Sequence, residues 1–206
     1  MLLVCTGNIC RSALGERLGR AYLQERLGDR AAAIRLTSAG VQAVVGSAVH
    51  PDSALVLSGL GADAGDFVAR QFGERMATEA DLVLTMTRGH RRDVLHSAPR
   101  VLARTFTLRE AAALLELVED VGPAGSDFRE RAVALVAAMA GARARRHSGT
   151  DDDIRDPIGQ SVTVQQEVGE AIAAALLPVL DRLAGLMPTA TRDTGGTPGV
   201  RGTRSA

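Results

Sequence analysis

Short apolar segments alternate with longer amphipathic segments along most of this chain, and this alternation limits the folds that it can adopt. The short segments are predicted to be strands, and they lie at about Met1–Val4, Ile34–Ser38, Leu82–Leu84 and Arg104–Thr107. Helical periodicity occurs at about Ser12–Gly28, His50–Gly59, Leu108–Glu119, Asp127–Arg145 and Val164–Leu186. The alternation predicts an α/β fold, in which helices cover both faces of a four-stranded parallel sheet through right-handed crossovers.

The first predicted strand runs directly into the segment Cys5–Ser12, which has the spacing of an anion-binding loop. A cysteine followed six positions later by an arginine lets the backbone between them form a ring of inward-pointing N–H groups. The guanidinium of Arg11 can bind two oxygens of a tetrahedral anion, and the helix that begins at Ser12 presents its positive end to the same anion. If the strands are arranged in the order 2-1-3-4, Cys5 lies at the topological switch point, where open α/β sheets bind ligands.

Composition predicts a single domain that does not bind nucleic acid. The chain has 206 residues, of which 46% are apolar, and its 24 basic residues, all arginine, are matched by 24 acidic ones. We expect one domain over residues 1–187 and a disordered tail over residues 188–206, which is rich in Gly, Thr, Pro and Arg. Because the arginines are dispersed and matched by acids, no nucleic-acid partner is expected.

Membrane, metal and cofactor sites are not indicated either. The chain shows no signal-peptide pattern and no long apolar run, so we expect a cytoplasmic protein without membrane contact. Two cysteines are too few for a disulfide framework or a four-ligand zinc site. Surface positions without metal-ligand spacing are expected for His50, His90, His96 and His147. No metal ion and no cofactor are therefore predicted.

The string Val-Cys-Thr-Gly-Asn-Ile-Cys-Arg-Ser at residues 4–12 resembles the phosphate-binding loop of the low-molecular-weight protein-tyrosine phosphatases and matches its fixed positions. Later segments are similar to that family in the same order, at Thr37–Gly40, Ala69–Gln71, Glu79–Met86 and Asp153–Pro157. The resemblance runs from Met1 to about Leu186, except for a helical insertion at about residues 114–150. We expect this insertion to be a surface helical hairpin with solvated charges.

The resemblance implies a phosphomonoester hydrolase that acts on phosphotyrosine in proteins through a cysteinyl-phosphate intermediate. Cys5 would be the nucleophile, Arg11 would stabilise the equatorial oxygens of the transition state, and Asp156 would be the general acid and base. Asp153 is the second choice for the acid, because it lies in the same acidic loop. The partner would be a phosphorylated protein, and the enzyme itself a monomer or a weak homodimer.

Supporting roles also follow from the resemblance. The phosphate-binding loop would consist of Thr6, Gly7, Asn8, Ile9, Cys10, Arg11 and Ser12. Asn8 is a residue type that tolerates a left-handed backbone, and Ser38 would support it from the neighbouring strand. Ser12 would donate a hydrogen bond to the departing sulfur. Cys10 is close enough in such a loop to form a reversible disulfide with Cys5, and the alternative is a buried thiol that fills space.

Several positions leave the substrate open. Family members that act on phosphotyrosine usually wall the cleft with aromatic residues, whereas this chain has Val44, Val45 and Ile158 at those places, and Phe67 where many members have a histidine. Ile9 is of the aliphatic type that accompanies aryl-phosphate preference in the family, where threonine accompanies phosphoarginine preference. The alternatives are a phosphoarginine or small-molecule phosphatase, an arsenate reductase, and a phosphate-binding module without catalysis.

Overall fold

The computed structural model describes residues 1–119, 127–146 and 152–188. The strands are β1 Leu2–Cys5, β2 Thr37–Gly40, β3 Val83–Thr85 and β4 Thr105–Thr107. The α-helices are α1 Arg11–Leu27, α2 Pro51–Gly59, α3 Glu74–Glu79, α4 Arg88–Ser97, α5 Leu108–Leu115, α6 Phe128–Ala142 and α7 Val162–Gly185. Short 3₁₀ turns occupy Gly28–Ala33, Pro99–Arg104 and Arg143–Arg145.

The four strands form one parallel sheet in the order β2-β1-β3-β4. Leu2 of β1 pairs with Thr37 of β2 on one side and with Val83 of β3 on the other, and Val83 pairs with Thr105 of β4. A helical segment lies between each pair of consecutive strands, as parallel pairing requires. The α/β fold and the strand order 2-1-3-4 are therefore confirmed.

Strand β1 is buried on both faces. Leu3 and Cys5 point into the larger apolar core, whereas Leu2 and Val4 point into the smaller one. Helices α1, α5, α6 and α7 contribute to the larger core, and α3 and α4 cover the opposite face. A strand that is buried on both faces has apolar residues at every position, and does not alternate apolar with polar ones. The segment Leu2–Cys5 has this continuous apolar pattern.

The second strand begins later than the sequence predicts. It was expected at Ile34–Ser38 and lies at Thr37–Gly40, so that prediction is wrong at the start of the strand. Because β1 offers only Leu2–Cys5 for pairing, β2 can be no more than four residues long. Ile34 and Leu36 are buried as expected, although they precede the strand.

Helices α3 and α4 are not indicated by the sequence pattern. Helix α3 has six residues, and in α4 only His90 and Val94 are buried, which is too little for a 3.6-residue apolar period. Helix α4 begins instead through its N-cap, where the Thr87 side chain accepts a hydrogen bond from the backbone N–H of His90. Pattern-based prediction fails here because the helix is defined by its cap and by local contacts.

Helix α6, which lies in the predicted insertion, belongs to the core. Leu135 and Met139 are each 1% exposed and pack in the larger apolar cluster. After the helix, the guanidinium of Arg143 lies 4.1 Å from the centroid of the Phe106 ring and donates to the Glu110 carboxylate at 2.9 Å. The expectation of a surface hairpin with solvated charges is therefore wrong for this helix, because its apolar face closes the core beside β4.

Other parts of the predicted organisation fall outside the described residues. These parts are residues 120–126 and 147–150 of the insertion and the tail after Pro188. The single domain over residues 1–187 stays a prediction. In the described ranges, no helix is both long enough and apolar enough to cross a membrane.

Replacement of Leu135 by alanine is expected to lower the free energy of unfolding by about 2–5 kcal/mol, because it leaves a cavity beneath α6. Val133 lies on the same helix and is 47% exposed, so Val133→Ala is the matched control and should change the free energy by about 0.5 kcal/mol or less. Urea denaturation measures both values. If Leu135→Ala lowered the free energy of unfolding as little as Val133→Ala, the assignment of α6 to the core would be contradicted.

Candidate active site

The predicted phosphate-binding loop lies between the end of β1 at Cys5 and the start of α1 at Arg11. The neighbours of β1 are β2 on one side and β3 on the other, which puts the loop at the topological switch point of the sheet. Helix α1 follows at once, since the backbone N–H of Leu14 donates to the carbonyl of Cys10 at 2.8 Å. The positive end of its helix dipole therefore lies at the loop.

The loop has its carbonyl groups bonded and its N–H groups available. Three of its carbonyls accept hydrogen bonds from the segment after β2. These bonds join Thr6 to Gln42, Gly7 to Val44 and Ile9 to His50, at 3.0, 3.0 and 2.8 Å. No backbone N–H from Gly7 to Cys10 donates to an acceptor in the described part of the chain. This is the arrangement of a backbone nest that binds anions.

Asn8 is fully buried and holds the loop through every polar atom of its side chain. Its φ is 55°, and no other non-glycine residue in the described ranges has a positive φ. Nδ2 donates to the hydroxyls of Ser12 and Ser38 at 2.9 and 2.8 Å, and Oδ1 accepts from the backbone N–H of Arg70 at 2.8 Å. One amide group therefore orients the hydroxyls of both serines.

A buried carboxylate that the sequence analysis does not predict lies behind Ser38. Glu16 of α1 accepts a hydrogen bond from the Ser38 hydroxyl at 2.6 Å. It also forms ion pairs with Arg20 at 2.6 Å and with Arg70 at 3.2 Å. Two guanidinium groups offset the cost of removing this carboxylate from water. The spacing to Arg20 is visible in the sequence, but the contacts to Ser38 and Arg70 are made only by the fold.

Phe67 is not part of this polar network. It is buried in a separate apolar cluster with Ala13, Val49 and Ala69, against which Ile9 also packs. Where many family members are expected to have a histidine, this chain therefore supports the loop through apolar packing. The polar support of the loop comes instead through the carboxylate of α1.

The candidate nucleophile lies in contact with a hydroxyl group. The Sγ of Cys5 is 2.9 Å from the Oγ of Ser12, and both residues are buried. The Ser12 hydroxyl accepts a hydrogen bond from Asn8, and its single proton can be directed to the sulfur or to the carbonyl of Ala39 at 3.5 Å. A hydroxyl that donates to sulfur stabilises the thiolate, both as a nucleophile and as a leaving group.

The Arg11 guanidinium is held at the loop by acceptors on two sides. Nη1 donates to the carbonyl of Ile154 at 3.0 Å, and Nη2 donates to Asp156 Oδ2 at 2.7 Å and to Thr6 Oγ1 at 3.4 Å. Nε is buried and has no hydrogen-bond partner among the described residues. A tetrahedral anion in the loop would satisfy such a donor, because guanidinium binds two oxygens through its planar fork.

Asp156 lies beside the loop on a fixed backbone. Its side chain is 48% exposed, and its carboxylate forms the ion pair with Arg11. The segment that carries it lies against the end of β3, since the backbone N–H of Ile154 donates to the carbonyl of Met86 at 2.8 Å. A carboxyl group in this position can exchange protons with solvent and with a group bound at the loop.

The neighbouring acids have other partners. Asp153 accepts a hydrogen bond from the backbone N–H of Arg88 at 2.7 Å, at the start of α4. Asp152 is buried and forms an ion pair with Arg146. Asp156 is the one aspartate of residues 152–156 that contacts Arg11, and the geometry therefore favours it over Asp153 as the acid.

His90 is buried in the site and is not the surface residue that the sequence suggests. It is 7% exposed, and its Nε2 lies 2.9 Å from Thr6 Oγ1 while Nδ1 lies 2.9 Å from Thr87 Oγ1. Burial, and then the charge of Arg11, lowers the pKa of His90 to about 4. The ring is therefore neutral near pH 7 and connects the start of α4 to the phosphate-binding loop.

Cys10 is buried at the end of the loop, and both cysteines are free. Burial raises the pKa of Cys10, and its hydrogen bond with Ser53 opposes that effect. The side chain is therefore held as a thiol. Its predicted disulfide with Cys5 is a separate chemical event and stays a prediction.

Aliphatic side chains occupy the three positions at which phosphotyrosine-specific family members usually have aromatic ones. Val44, Val45 and Ile158 are exposed, and the backbone N–H of Val44 is bonded to the carbonyl of Gly7. Among the described residues, no group of three or more His, Cys, Asp and Glu could hold a metal ion. The histidine His147 of the sequence analysis lies outside those residues.

Gly40→Ala is expected to raise the dissociation constant for inorganic phosphate about tenfold or more, because the loop must move to accommodate it. A Cβ at Gly40 would lie 2.3 Å from the carbonyl oxygen of Thr6 and 2.9 Å from the backbone nitrogen of Asn8. Gly141→Ala is the control, since a Cβ there meets nothing within 4 Å. Isothermal titration calorimetry measures both constants, and unchanged affinity in Gly40→Ala would contradict this packing.

Comparison with known proteins identifies relatives of the first part of the chain. The profile of the low molecular weight phosphotyrosine protein phosphatases matches residues 1–118. The probable low molecular weight protein-tyrosine-phosphatase AmsI of Erwinia amylovora is 37% identical over 106 residues, covering 52% of this chain and 68% of that protein. Etp of Escherichia coli K12, a low molecular weight protein-tyrosine-phosphatase, is 36% identical over 106 residues, covering 52% and 66%.

Solved structures resemble nearly the whole described fold. The crystal structure of the Erwinia amylovora tyrosine phosphatase AmsI gives a TM-score of 0.62 at 24% identity, covering 87% of this chain and 89% of that chain. The YwlE arginine phosphatase from Geobacillus stearothermophilus gives a TM-score of 0.64 at 24% identity, covering 89% and 92%. These structures share the fold, and the sequence match over residues 1–118 shows the kinship. The chain is a member of the low-molecular-weight phosphotyrosine protein phosphatase family.

Proposed function

We propose that this chain removes phosphate from phosphotyrosine in proteins through a cysteinyl-phosphate intermediate. The ion pair between Arg11 and Asp156, at the loop that begins with Cys5, is the observation that carries the proposal. It joins an anion clamp and an acid that are 145 positions apart in the sequence, and it does so beside a nucleophile. A nucleophile, an anion clamp and an acid are the groups that this reaction requires.

In the first step, the Cys5 thiolate attacks phosphorus in line with the bond to the leaving oxygen. An S–P bond forms, the P–O bond breaks, and the leaving oxygen takes a proton from Asp156. The loop N–H groups and the Arg11 guanidinium stabilise the three equatorial oxygens of the transition state. The products are a phosphorylated cysteine, the free hydroxyl compound and an Asp156 carboxylate.

In the second step, water hydrolyses the intermediate. The Asp156 carboxylate takes a proton from the water, the water oxygen bonds to phosphorus, and the S–P bond breaks. The electron pair of that bond returns to Cys5, and the hydroxyl of Ser12 at 2.9 Å stabilises the departing thiolate. Inorganic phosphate and the starting enzyme result, so the cycle needs neither a metal ion nor a cofactor.

The choice of phosphotyrosine rests on the walls of the site. The side chain of Ile9 is aliphatic and packs into an apolar cluster, and Val44, Val45 and Ile158 present apolar surface beside the loop. An aryl ring gains free energy from such surface, whereas a guanidinium group on the substrate would need polar partners there. Phosphoarginine is the second candidate, because a YwlE arginine phosphatase shares the fold.

Two further alternatives are less consistent with the site. A thioredoxin-coupled arsenate reductase needs additional cysteines, and the chain has only Cys5 and Cys10. A phosphate-binding module without catalysis would not need an acid at the loop, yet Asp156 is present there. Phosphate-ester hydrolysis therefore uses more of the observed groups than either alternative.

We also propose a cytoplasmic setting, since a reducing compartment keeps a cysteine nucleophile as a thiol. The partner would be a phosphorylated protein, not nucleic acid or a membrane, and the enzyme a monomer or a weak homodimer. A reversible disulfide between Cys5 and Cys10 would protect the nucleophile from further oxidation.

The proposal is tested by assaying peptides that carry phosphotyrosine, phosphoarginine or phosphoserine side by side. The value of kcat/KM for the phosphotyrosine peptide is expected to exceed that for the other two by about tenfold or more. Arsenate reduction measured in parallel should be absent. A higher kcat/KM for phosphoarginine would replace the proposed substrate while leaving the chemistry in place.

Cys5→Ser is expected to abolish turnover while phosphate or vanadate still binds, because the loop N–H groups and Arg11 remain. Rapid acid quenching of the unmodified enzyme during turnover should trap phosphate on Cys5. Cys10→Ser is the comparison variant, because it removes the other thiol of the same loop and leaves the Cys5 sulfur in place. Hydrolysis retained in Cys5→Ser would rule out the covalent mechanism.

Asp156→Asn is expected to slow hydrolysis of phenyl-type esters by about 10²–10⁴, and to slow esters with good anionic leaving groups less. The pH–rate limb of a protonated carboxyl should disappear in this variant. Asp153→Asn is the matched control, because an asparagine oxygen can still accept from the backbone N–H of Arg88. If Asp153→Asn showed the leaving-group-dependent loss instead, the acid would be Asp153.

A further inference from the structure

A basic cleft lies beside the site at the start of α4. It has a volume of about 630 Å³ and is lined by Arg88, Gly89, Arg91, Arg92, Leu95 and Asp153. We refer to these six residues as the α4 cleft. Three of them are arginines within five consecutive positions, whereas the whole chain has a formal net charge of zero. The excess of positive charge is therefore local.

The α4 cleft adjoins the phosphate-binding loop through two links. His90 lies between two of its residues in sequence and contacts Thr6 of the loop through Nε2. Asp153 lines the cleft and precedes Ile154, whose carbonyl accepts a hydrogen bond from Arg11. A peptide whose phosphorylated residue occupies the loop therefore has neighbouring residues within reach of the cleft.

Acids within the protein neutralise only part of the charge in the α4 cleft. The side chain of Arg88 is 55% exposed, and its Nε lies 3.4 Å from Asp153 Oδ1. Arg91 lies 3.6 Å from Glu110, which also pairs with Arg143, and Arg91 Nε is buried without a hydrogen-bond partner among the described residues. One carboxylate thus serves two guanidinium groups.

Arg92 completes the cleft as an exposed, unneutralised charge. It makes no hydrogen bond or ion pair with any residue that the structure describes. The exposed side chains of Val44, Val45 and Ile158, on the other segments that contact the loop, are apolar. Exposed positive charge beside the loop is presented by Arg88 and Arg92 of the α4 cleft.

We propose that the α4 cleft binds acidic side chains that flank the phosphorylated residue of the protein substrate. This inference rests on the proposed function and specifies its substrate class, namely phosphotyrosine in an acidic sequence. Guanidinium groups bind carboxylates through charge-assisted and often bidentate hydrogen bonds. Because Arg88 and Arg92 are exposed, each contact that they make is weak and sensitive to salt, so the cleft selects among substrates and is not needed for the chemistry.

The test compares two phosphotyrosine peptides that differ only in having glutamate or alanine on both sides of the phosphorylated residue. The glutamate peptide is expected to have a kcat/KM about three- to tenfold higher at about 0.02 M salt, and the ratio should approach one at about 0.5 M. The same peptides are also measured as competitive inhibitors of p-nitrophenyl phosphate hydrolysis. This second measurement gives the binding preference independently of peptide turnover.

Arg92→Gln is expected to reduce the ratio of the two peptides, and Arg88→Gln/Arg92→Gln to reduce it further toward one. Each variant is measured with both peptides, so a loss of activity that affects both peptides equally leaves the ratio of their kcat/KM values unchanged. Arg100→Gln is the matched control. Arg100 is exposed in the 3₁₀ turn before β4, at the amino ends of the strands, whereas the phosphate-binding loop lies at their carboxyl ends. That variant should keep the ratio of the unmodified enzyme.

Three results would overturn the inference. They are equal kcat/KM and equal inhibition for both peptides in the unmodified enzyme, a preference for glutamate that survives the double variant, and an equal loss of preference in Arg100→Gln. If tyrosine peptides are hydrolysed without preference, only the role of the α4 cleft fails. If they neither bind nor react while p-nitrophenyl phosphate is hydrolysed, the proposed substrate fails as well.

Discussion

The side-chain amide of Asn8 is buried with each of its polar atoms bonded, in a residue whose backbone is left-handed. These two features depend on each other, because the left-handed turn brings the amide inward and the bonds stabilise the turn. The same amide orients the hydroxyl of Ser12, and that hydroxyl contacts the sulfur of Cys5. Through Ser38 the network reaches the buried carboxylate of Glu16. The conformation of the loop and the environment of the Cys5 sulfur are thus set together.

The other half of the site is held by α4 and by the loop after α6. His90 can bridge Thr6 and Thr87 because its ring is neutral, and burial is the main reason for that neutrality. A charged ring there would lie close to Arg11 in a poorly solvated position, so the two groups divide their tasks. The neutral ring holds the geometry of the loop, and the guanidinium carries the positive charge beside it.

The phosphate-binding loop and the elements on either side of it could be predicted because they depend on local sequence: a buried strand, a glycine-containing loop and a helix in succession. The partners of Glu16 and His90 could not be predicted, since Arg70 lies 54 positions from the first and Thr6 lies 84 positions from the second. Helix α6 was wrongly expected on the surface for another reason. Alanine is common on both its buried and its exposed sides, so the apolar contrast between the sides is weak. The buried side is distinguished by the packing of Leu135, Val136, Met139 and Ala142.

In the proposed function, reaction chemistry and substrate selection belong to different parts of the chain. The groups that would form and break bonds lie on the loop after β1 and on the segment after Ile154, and they are held by buried hydrogen bonds. Val44, Val45 and Ile158, and Arg88 and Arg92 of the α4 cleft, are exposed side chains. Substitutions on those surfaces therefore cost little folding free energy, whereas a change at Asn8 disturbs several bonds at once. Under the proposed function, exchange of those surface side chains would therefore change the preferred substrate while the loop is kept.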